Sequence, residues 1–210
     1  MVGISYLITT HNEGKAYLIP LFKRILMNDV EGEDEIVVLD DYSDDPDTIQ
    51  VLELTKKNRP DVKIIQHHLD GDFSKHKNFG KEHCTKHFIF QIDGDELPHE
   101  NLIYALKETI LFNHTVDLFR VPRINIVPNI TPHHIAKWGW RVNDKGHINF
   151  PDYQDRVFRN VPDIHWQNKV HEKIVGHNTH AELPDVEDYC LLHVKELSRQ
   201  EQQNAFYSTL

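Results

Sequence analysis

The sequence predicts an α/β fold in which a mostly parallel central sheet is flanked by helices, with a smaller part added after it. Three observations carry this expectation. Short apolar runs rich in β-formers alternate with helical patterns from the N-terminus to Phe112. The runs are as short and continuously apolar as strands buried on both faces require. Past about residue 116 the alternation gives way to a stretch rich in Pro, Asn, His and Trp. A chain of 210 residues, 39% of them hydrophobic, can close one core of its own.

Taken in order, Ile4 to Thr9 reads as the first strand, and Glu13 to Met27 as a helix with Ala16, Leu18, Ile19, Leu21, Phe22, Ile25 and Leu26 at helical spacing. Glu35 to Leu39 is the second strand. After it Asp44 or Asp45 can cap a helix that has Pro46 in its first turn and Ile49, Leu52 and Val51 on its apolar side. Val62 to Gln66 is a third strand, His87 to Ile92 a fourth, and Pro98 to Phe112 a helix opened by proline. Val116 to Pro122 is a strand, and 123 to 152 is expected as loops or a small hairpin insertion. Arg156 to Phe158 and Tyr189 to Val194 are late strands. Glu196 to Leu210 is a polar helical pattern without a terminator, so further domains C-terminal to it are expected. Sheets of this kind hold ligands at the carboxyl ends of their strands.

The net charge of −10 argues against nucleic acid as a partner. The excess is local: residues 25 to 55 hold 11 acids and neither Lys nor Arg. Glu31 to Glu35 read as a solvated turn, whereas Asp40 to Asp47 follow a strand. Cys84 and Cys190 suggest neither a disulfide framework nor a zinc cage, and a cytoplasmic location follows. No apolar run is long enough to span a membrane. There are 16 histidines, scattered along the chain. The pairs His67-His68 and His133-His134, and His83 with His87, lack accompanying ligands at metal-site spacing and read mostly as surface residues.

The strongest local signal is Phe88-Ile-Phe-Gln-Ile-Asp93-Gly94-Asp95-Glu96, a strand ending in Asp-x-Asp. Alternation along an extended backbone sends both carboxylates to one side, where they can share a hard cation held against a diphosphate. An ordinary acidic turn would use the same residues. Three further segments keep it company: Ile4-Ser-Tyr-Leu-Ile-Thr-Thr-His-Asn-Glu13, Ile36-Val-Val-Leu-Asp-Asp-Tyr-Ser-Asp-Asp45 and Gly71-Asp-Phe-Ser-Lys-His-Lys-Asn-Phe-Gly80. In order and spacing the four resemble the elements of GT-A (Rossmann-like) glycosyltransferases related to family 2. Pro151-Asp-Tyr-Gln-Asp-Arg-Val-Phe-Arg-Asn160, Trp166 and Val170-His-Glu-Lys173 resemble the acceptor-side half of bacterial and viral members.

The resemblance implies a single domain over 1–210, with a nucleotide-sugar-binding half at 1–97 and an acceptor-side half at 98–210. It implies transfer of a sugar from a nucleotide-diphosphate sugar, of uridine type, to a hydroxyl on a glycan or glycoprotein, assisted by Mn²⁺ or Mg²⁺. Thr9, His11, Asn12 and Glu13 are then expected at the base and ribose rim. Asp41 would accept the imide N–H of the base, although Asp40 to Asp47 would also serve as a capped, solvated helix start. Lys77 stands where an Arg is more usual before Asn78; it keeps the charge and loses the bidentate fork. Asp95, Asp93 and His193 are the expected metal ligands, Asp93 alternatively a ribose contact, and His193 alternatively a satisfied strand histidine. Carboxylates with one imidazole suit Mn²⁺ better than Ca²⁺. For the base that takes the acceptor proton the candidates are Glu172, Asp155 and His171, Glu172 being preferred and Asp155 also open to a structural ion pair with Arg156.

His171-Glu172 followed by His177 is not the His-Glu-x-x-His of a zinc protease. Trp138, Trp140 and Trp166 are placed either to stack on sugars or to anchor a core. Two other functions are compatible with the composition. A nucleotidyltransferase would need a Gly-rich basic phosphate loop near the first strand, which Thr9 to Gly14 is not. A non-catalytic sugar-binding module would need the aromatic residues but not the paired Asp residues.

Overall fold

A computed structural model describes residues 2–28 and 32–201. Along the chain lie β1 (Ile4–Thr10), α1 (Gly14–Asn28), β2 (Glu35–Asp40), α2 (Pro46–Asn58), β3 (Lys63–Gln66), α3 (Phe73–Glu82), β4 (Phe88–Asp93) and β5 (Glu96–Pro98). There follow α4 (Glu100–Phe112), β6 (Leu118–Ile126), α5 (Pro132–Trp138), β7 (Ile148–Arg159), β8 (His165–Gln167), β9 (Lys173–Val175), β10 (His180–Glu182) and β11 (Leu191–Val194). Among the described residues nine strands form one sheet in the order β3-β2-β1-β4-β7-β6-β11-β5, with β10 beside β6. β3, β2, β1 and β4 run parallel, while β7 is antiparallel to both of its neighbours.

The apolar strands are buried on both sides, as their composition requires. Ile4, Tyr6 and Ile8 of β1 pack with Leu18, Leu21 and Phe22 of α1 and with Leu102 and Leu106 of α4. On the opposite face Leu7, Leu39 and Ile89 meet Phe158 and Trp166 under the β8–β9 ribbon. Each such side chain contributes roughly 1.5–3 kcal/mol by leaving water. Both cysteines are free and buried, and burial pushes each thiol up to about 12.

Several sequence expectations are corrected. The segment between the third and fourth strands, to which the sequence assigned no element, forms α3, a helix without an apolar stripe, because its buried positions are His76, Lys77 and Gly80. Gly80 lets it lie on the sheet: a Cβ there would meet Leu7 and Leu39 side-chain carbons at 2.9 and 3.0 Å. Pro98 does not open a helix but ends β5, and α4 starts after the His99 cap. On α2 Thr48, Val51 and Leu52 are buried, while Ile49 faces solvent. The stretch 123–152 is not a loop region throughout, since it holds the end of β6, α5 and the start of β7. Glu31 lies outside the described residues, and the rest of the expected solvated turn is partly structural. Asp34 is buried, accepts the Ile4 N–H at 2.9 Å and pairs with Lys107 at 2.9 Å. Glu35 opens β2 and binds Lys63 at 2.8 Å. The division expected at 97/98 falls inside β5. Of the C-terminal helical pattern, 197–201 is helical and 202–210 lies outside the described residues. No described helix is long and apolar enough to cross a membrane.

Candidate active site

A cleft of about 800 Å³ opens at the carboxyl ends of β1, β2 and β4. Its walls gather Thr9, His11, Glu13, Asp41, Lys77, Asp93, Asp95, His171, Glu172 and His193, ten of the residues expected from the sequence. Asn12 and Asp155 are not among them. Asn12, left-handed at φ 62°, accepts the Asp44 and Asp45 N–H groups at 2.9 Å each and donates to the Asp44 carboxylate at 2.7 Å. It clamps the loop after β1 to the loop after β2 instead of lining the ribose rim. Asp155 faces a second cavity and pairs with Arg120 at 3.3 Å, not with Arg156.

Asp93 ends β4 in a network of charges. Its Oδ2 meets Arg156 at 2.6 Å and its Oδ1 lies 3.7 Å from Lys77, while Thr9 and Gln91 donate to Oδ1 at 3.0 and 2.8 Å. Burial alone would raise this acid, but Arg156 and Lys77 outweigh it and hold the carboxyl well below the usual range. Arg156 also reaches Glu96 at 2.6 Å and bonds to Gln91. Glu96 in turn binds Arg123 at 2.9 Å, and Arg123 binds Asp152 at 2.8 Å. Arg156 falls at a register shift between β6 and β7, where Phe119 pairs with Val157 and Arg120 with Asp155. Such irregularities re-aim a side chain, and this one accompanies a guanidinium turned between two acids. At the other end of the network Lys77, only 6% exposed, donates to Glu172 at 2.7 Å.

Asp95 stands apart from Asp93. Its Oδ2 lies 3.4 Å from His193 Nε2, 3.7 Å from Lys195 and 3.8 Å from Arg199. Burial pushes Asp95 up, but the contact with His193, its charge and that of Lys195 win, leaving the pKa at about 2. Glu13 behaves oppositely: burial dominates and raises it, although Thr10, the His11 N–H at 2.6 Å and Arg199 at 3.2 Å all contact it. Gly94 sits between these groups, donating to the Thr9 carbonyl at 2.8 Å; a Cβ there would meet Glu13 Oε2 at 3.1 Å.

No three His, Cys, Asp or Glu side chains converge on a cation site among the described residues. Asp93, expected as one of three ligands, is engaged by Arg156 and Lys77. Asp95 and His193 do fit a metal by their chemistry. Asn125 donates through Nδ2 to Asp152 at 2.7 Å, so its Oδ1 faces His193 Nδ1 at 2.7 Å and receives that proton. Nε2, the other ring nitrogen, faces Asp95 Oδ2 at 3.4 Å, where a cation could take the place of their direct contact, with the ring held as a second hydrogen bond holds ligating histidines.

Asp41 accepts the Leu69 N–H at 2.9 Å and lies 3.8 Å from both His11 and His68. His76 borders the same corner; burial is the main cause that lowers it to about 4. His171, exposed and left-handed at φ 54°, is at the rim. Trp140 lines the cleft and packs on Trp138 at 4.7 Å, whereas Trp166 is a core residue edge-on to Phe158. Sequence reasoning missed Glu96, Arg123, Lys195 and Arg199. Gln91, a polar residue inside an apolar strand, and the basic positions just after His193 were the available signals.

Comparison with known proteins agrees with this geometry. Residues 5–175 match the model of glycosyl transferase family 2. Two curated relatives are glycosyltransferase SunS of Bacillus phage SPbeta and the SPbeta prophage-derived glycosyltransferase SunS of Bacillus subtilis strain 168. Each is 28% identical over 173 residues, 81% of this chain and 34% of theirs. The chain thus spans about a third of the length of the curated relatives it matches. Among solved structures, S. aureus TarS 1–349 superposes with a TM-score of 0.64 at 17% identity, covering 91% of this chain and 60% of TarS 1–349. The same fragment in complex with UDP-GlcNAc gives 0.61 at 17% identity, over 92% and 58%. The fold is that of the GT-A enzymes, and the chain belongs to glycosyl transferase family 2.

Proposed function

We propose that this chain transfers a sugar from a uridine-diphosphate sugar to a hydroxyl of a glycan or glycoprotein, with a divalent cation. The observation that carries the reading is the convergence of Asp41, Lys77, Asp95, His193 and Glu172 on one cleft at the strand ends. The crystallised complexes of TarS with UDP and UDP-GlcNAc support the choice of donor. Asp41 reads the imide N–H of the base. Lys77 neutralises a phosphate, and in leaving Glu172 for it frees that carboxylate. Mn²⁺ or Mg²⁺ held by Asp95 and His193 would supply charge neutralisation for the departing diphosphate. Glu172 takes the proton of the acceptor hydroxyl as the new C–O bond forms. The anomeric C–O bond to the diphosphate breaks, and its electron pair leaves with the diphosphate.

The test is calorimetric titration with UDP, and hydrolysis of UDP-GlcNAc, with and without Mn²⁺. Wild type binds UDP more tightly with Mn²⁺, and Asp95→Asn loses that gain, on the order of 10–100-fold. Failure to bind UDP would overturn the donor assignment; binding that ignores both Mn²⁺ and Asp95→Asn would overturn the metal.

A further inference from the structure

Helix α3 brings two neighbouring buried side chains to the cleft: Lys77, which meets Glu172, and His76, which faces the segment that follows β3. The His76 Nδ1 lies 3.2 Å from the Nδ1 of His67, and the same ring hydrogen-bonds the His68 backbone. One residue on, the Leu69 N–H donates to Asp41 Oδ1 at 2.9 Å. We infer that His76 is a positioning residue for base recognition: it holds the turn whose Leu69 N–H aims the Asp41 carboxylate, and thereby sets the preference for a uracil-type base. This rests on the reading of Asp41 as the contact to the base imide.

Among the described residues the Leu69 N–H supplies the hydrogen bond that the Asp41 carboxylate accepts, while the His11 and His68 rings stand 3.8 Å away. The aim of Asp41 therefore follows the turn. That turn is tied down by the His67 N–H, which donates to the Asp40 carbonyl at 3.1 Å, and by the Leu69 carbonyl, which accepts the Asp72 N–H at 2.9 Å. The His67 ring stacks on Phe79 at 4.3 Å. From α3, His76 reaches both residues that precede Leu69. Two imidazole nitrogens 3.2 Å apart share one proton, which requires one of them to be unprotonated. Burial lowers His76 to about 4 and so keeps it neutral at neutral pH. A neutral ring also sets no cation beside Asp41 to compete with the imide for its charge. An apolar side chain would fill the buried position equally well and make neither bond, so the imidazole is explained by its polar contacts.

The test is calorimetric titration of the full chain at neutral pH with UDP and with CDP, Mn²⁺ present, and with inorganic pyrophosphate as the probe of the phosphate side. Uracil offers a donor at the ring position where cytosine offers an acceptor, so the ratio of the two affinities reports how Asp41 is aimed. Wild type should prefer UDP by about tenfold to 100-fold. His76→Leu should lower that ratio about fivefold or more and keep pyrophosphate affinity within about twofold. His76→Gln, which retains a donor and an acceptor, should restore most of the preference. His67→Phe, which retains a ring to stack on Phe79, should reproduce the loss, and its ratio decides the matter where His76→Leu does not fold. In an Asp41→Asn background the preference is already gone, and His76→Leu should remove nothing further. An unchanged ratio in folded His76→Leu overturns the proposal, as do equal losses of UDP, CDP and pyrophosphate affinity, which a merely structural residue would give. Wild type that binds UDP and CDP alike, with Asp41→Asn changing nothing, refutes the base assignment of Asp41 and this role with it.

Discussion

After β2 the chain carries five acids in eight residues, Asp40, Asp41, Asp44, Asp45 and Asp47; after β4 it carries three in four, Asp93, Asp95 and Glu96. The first group is satisfied mainly by nearby loop and helix ends. Asp40 accepts from Ser43, Asp45 caps α2 through the Thr48 N–H at 2.7 Å, and Asp44 meets Asn12. Only Asp41 of this group lines the cleft. The second group is satisfied by cations from distant segments, Arg123 and Arg156 on β6 and β7 and Lys195 and Arg199 beyond β11. A run of acids therefore does not mark a site by its density. What distinguishes the second group is the kind of partner: its carboxylates are held by guanidinium and ammonium groups, whereas Asp40, also buried, is held by the neutral donors Ser43 and Gln66.

The largest expected effect breaks the second group. Glu96→Ala leaves Arg123 and Arg156 facing an empty position in a buried network and should cost ~3–5 kcal/mol in denaturant unfolding, more than any substitution between Asp40 and Asp47. A midpoint shift no larger than that of a surface variant would refute the contrast. Next is pH. His76, beside the first group, has a folded-state pKa of about 4, below the ordinary 6.5, so the unfolded chain binds the extra proton between those values. Stability should fall as pH drops from about 6.5 to about 4 and level off below, by at most about 3 kcal/mol. His76→Gln should flatten this part of the melting-temperature profile relative to wild type, and an unchanged slope would count against a buried neutral His76. The smallest effects separate members of the first group. Asp40→Ala, which removes bonds to Ser43 and to Gln66 at 3.0 Å, should cost ~1–3 kcal/mol, while Asp44→Ala at an exposed position should not move the midpoint measurably. Equal losses in both would sink the claim that these acids differ in role.

The strands β1, β2 and β4 and helices α1, α2 and α4 were legible because burial on both sheet faces demands continuous apolar runs, and helices on those faces demand a stripe. The site's acids were legible for a related reason: a polar residue at a strand end in an α/β sheet points to the crevice. α3 was not, since its sheet-facing positions are filled by His76, Lys77 and Gly80, whose burial is set by the cleft and by the close approach to Leu7 and Leu39. Nor were β5, the end of β6 past Pro122 and the first part of β7, where Pro98 and Pro151 lie within strands.

Length, strand spacing and the ordered acidic segments by themselves determined the α/β sheet, the family and the position of the cleft. Only the tertiary structure decided how the charges are shared. It gave Asp93 to Arg156 and Lys77, left Asp95 with His193, turned Asn12 into a loop clamp and moved Asp155 to the second cavity. Lys77, Lys195 and Arg199 bring positive charge to the same cleft that the acids line. The physical reason is range. Apolar periodicity and turn chemistry act over a few residues and are written along the chain, whereas ion pairs in a buried cleft join residues separated by dozens of positions, and their partners are fixed only when the sheet closes.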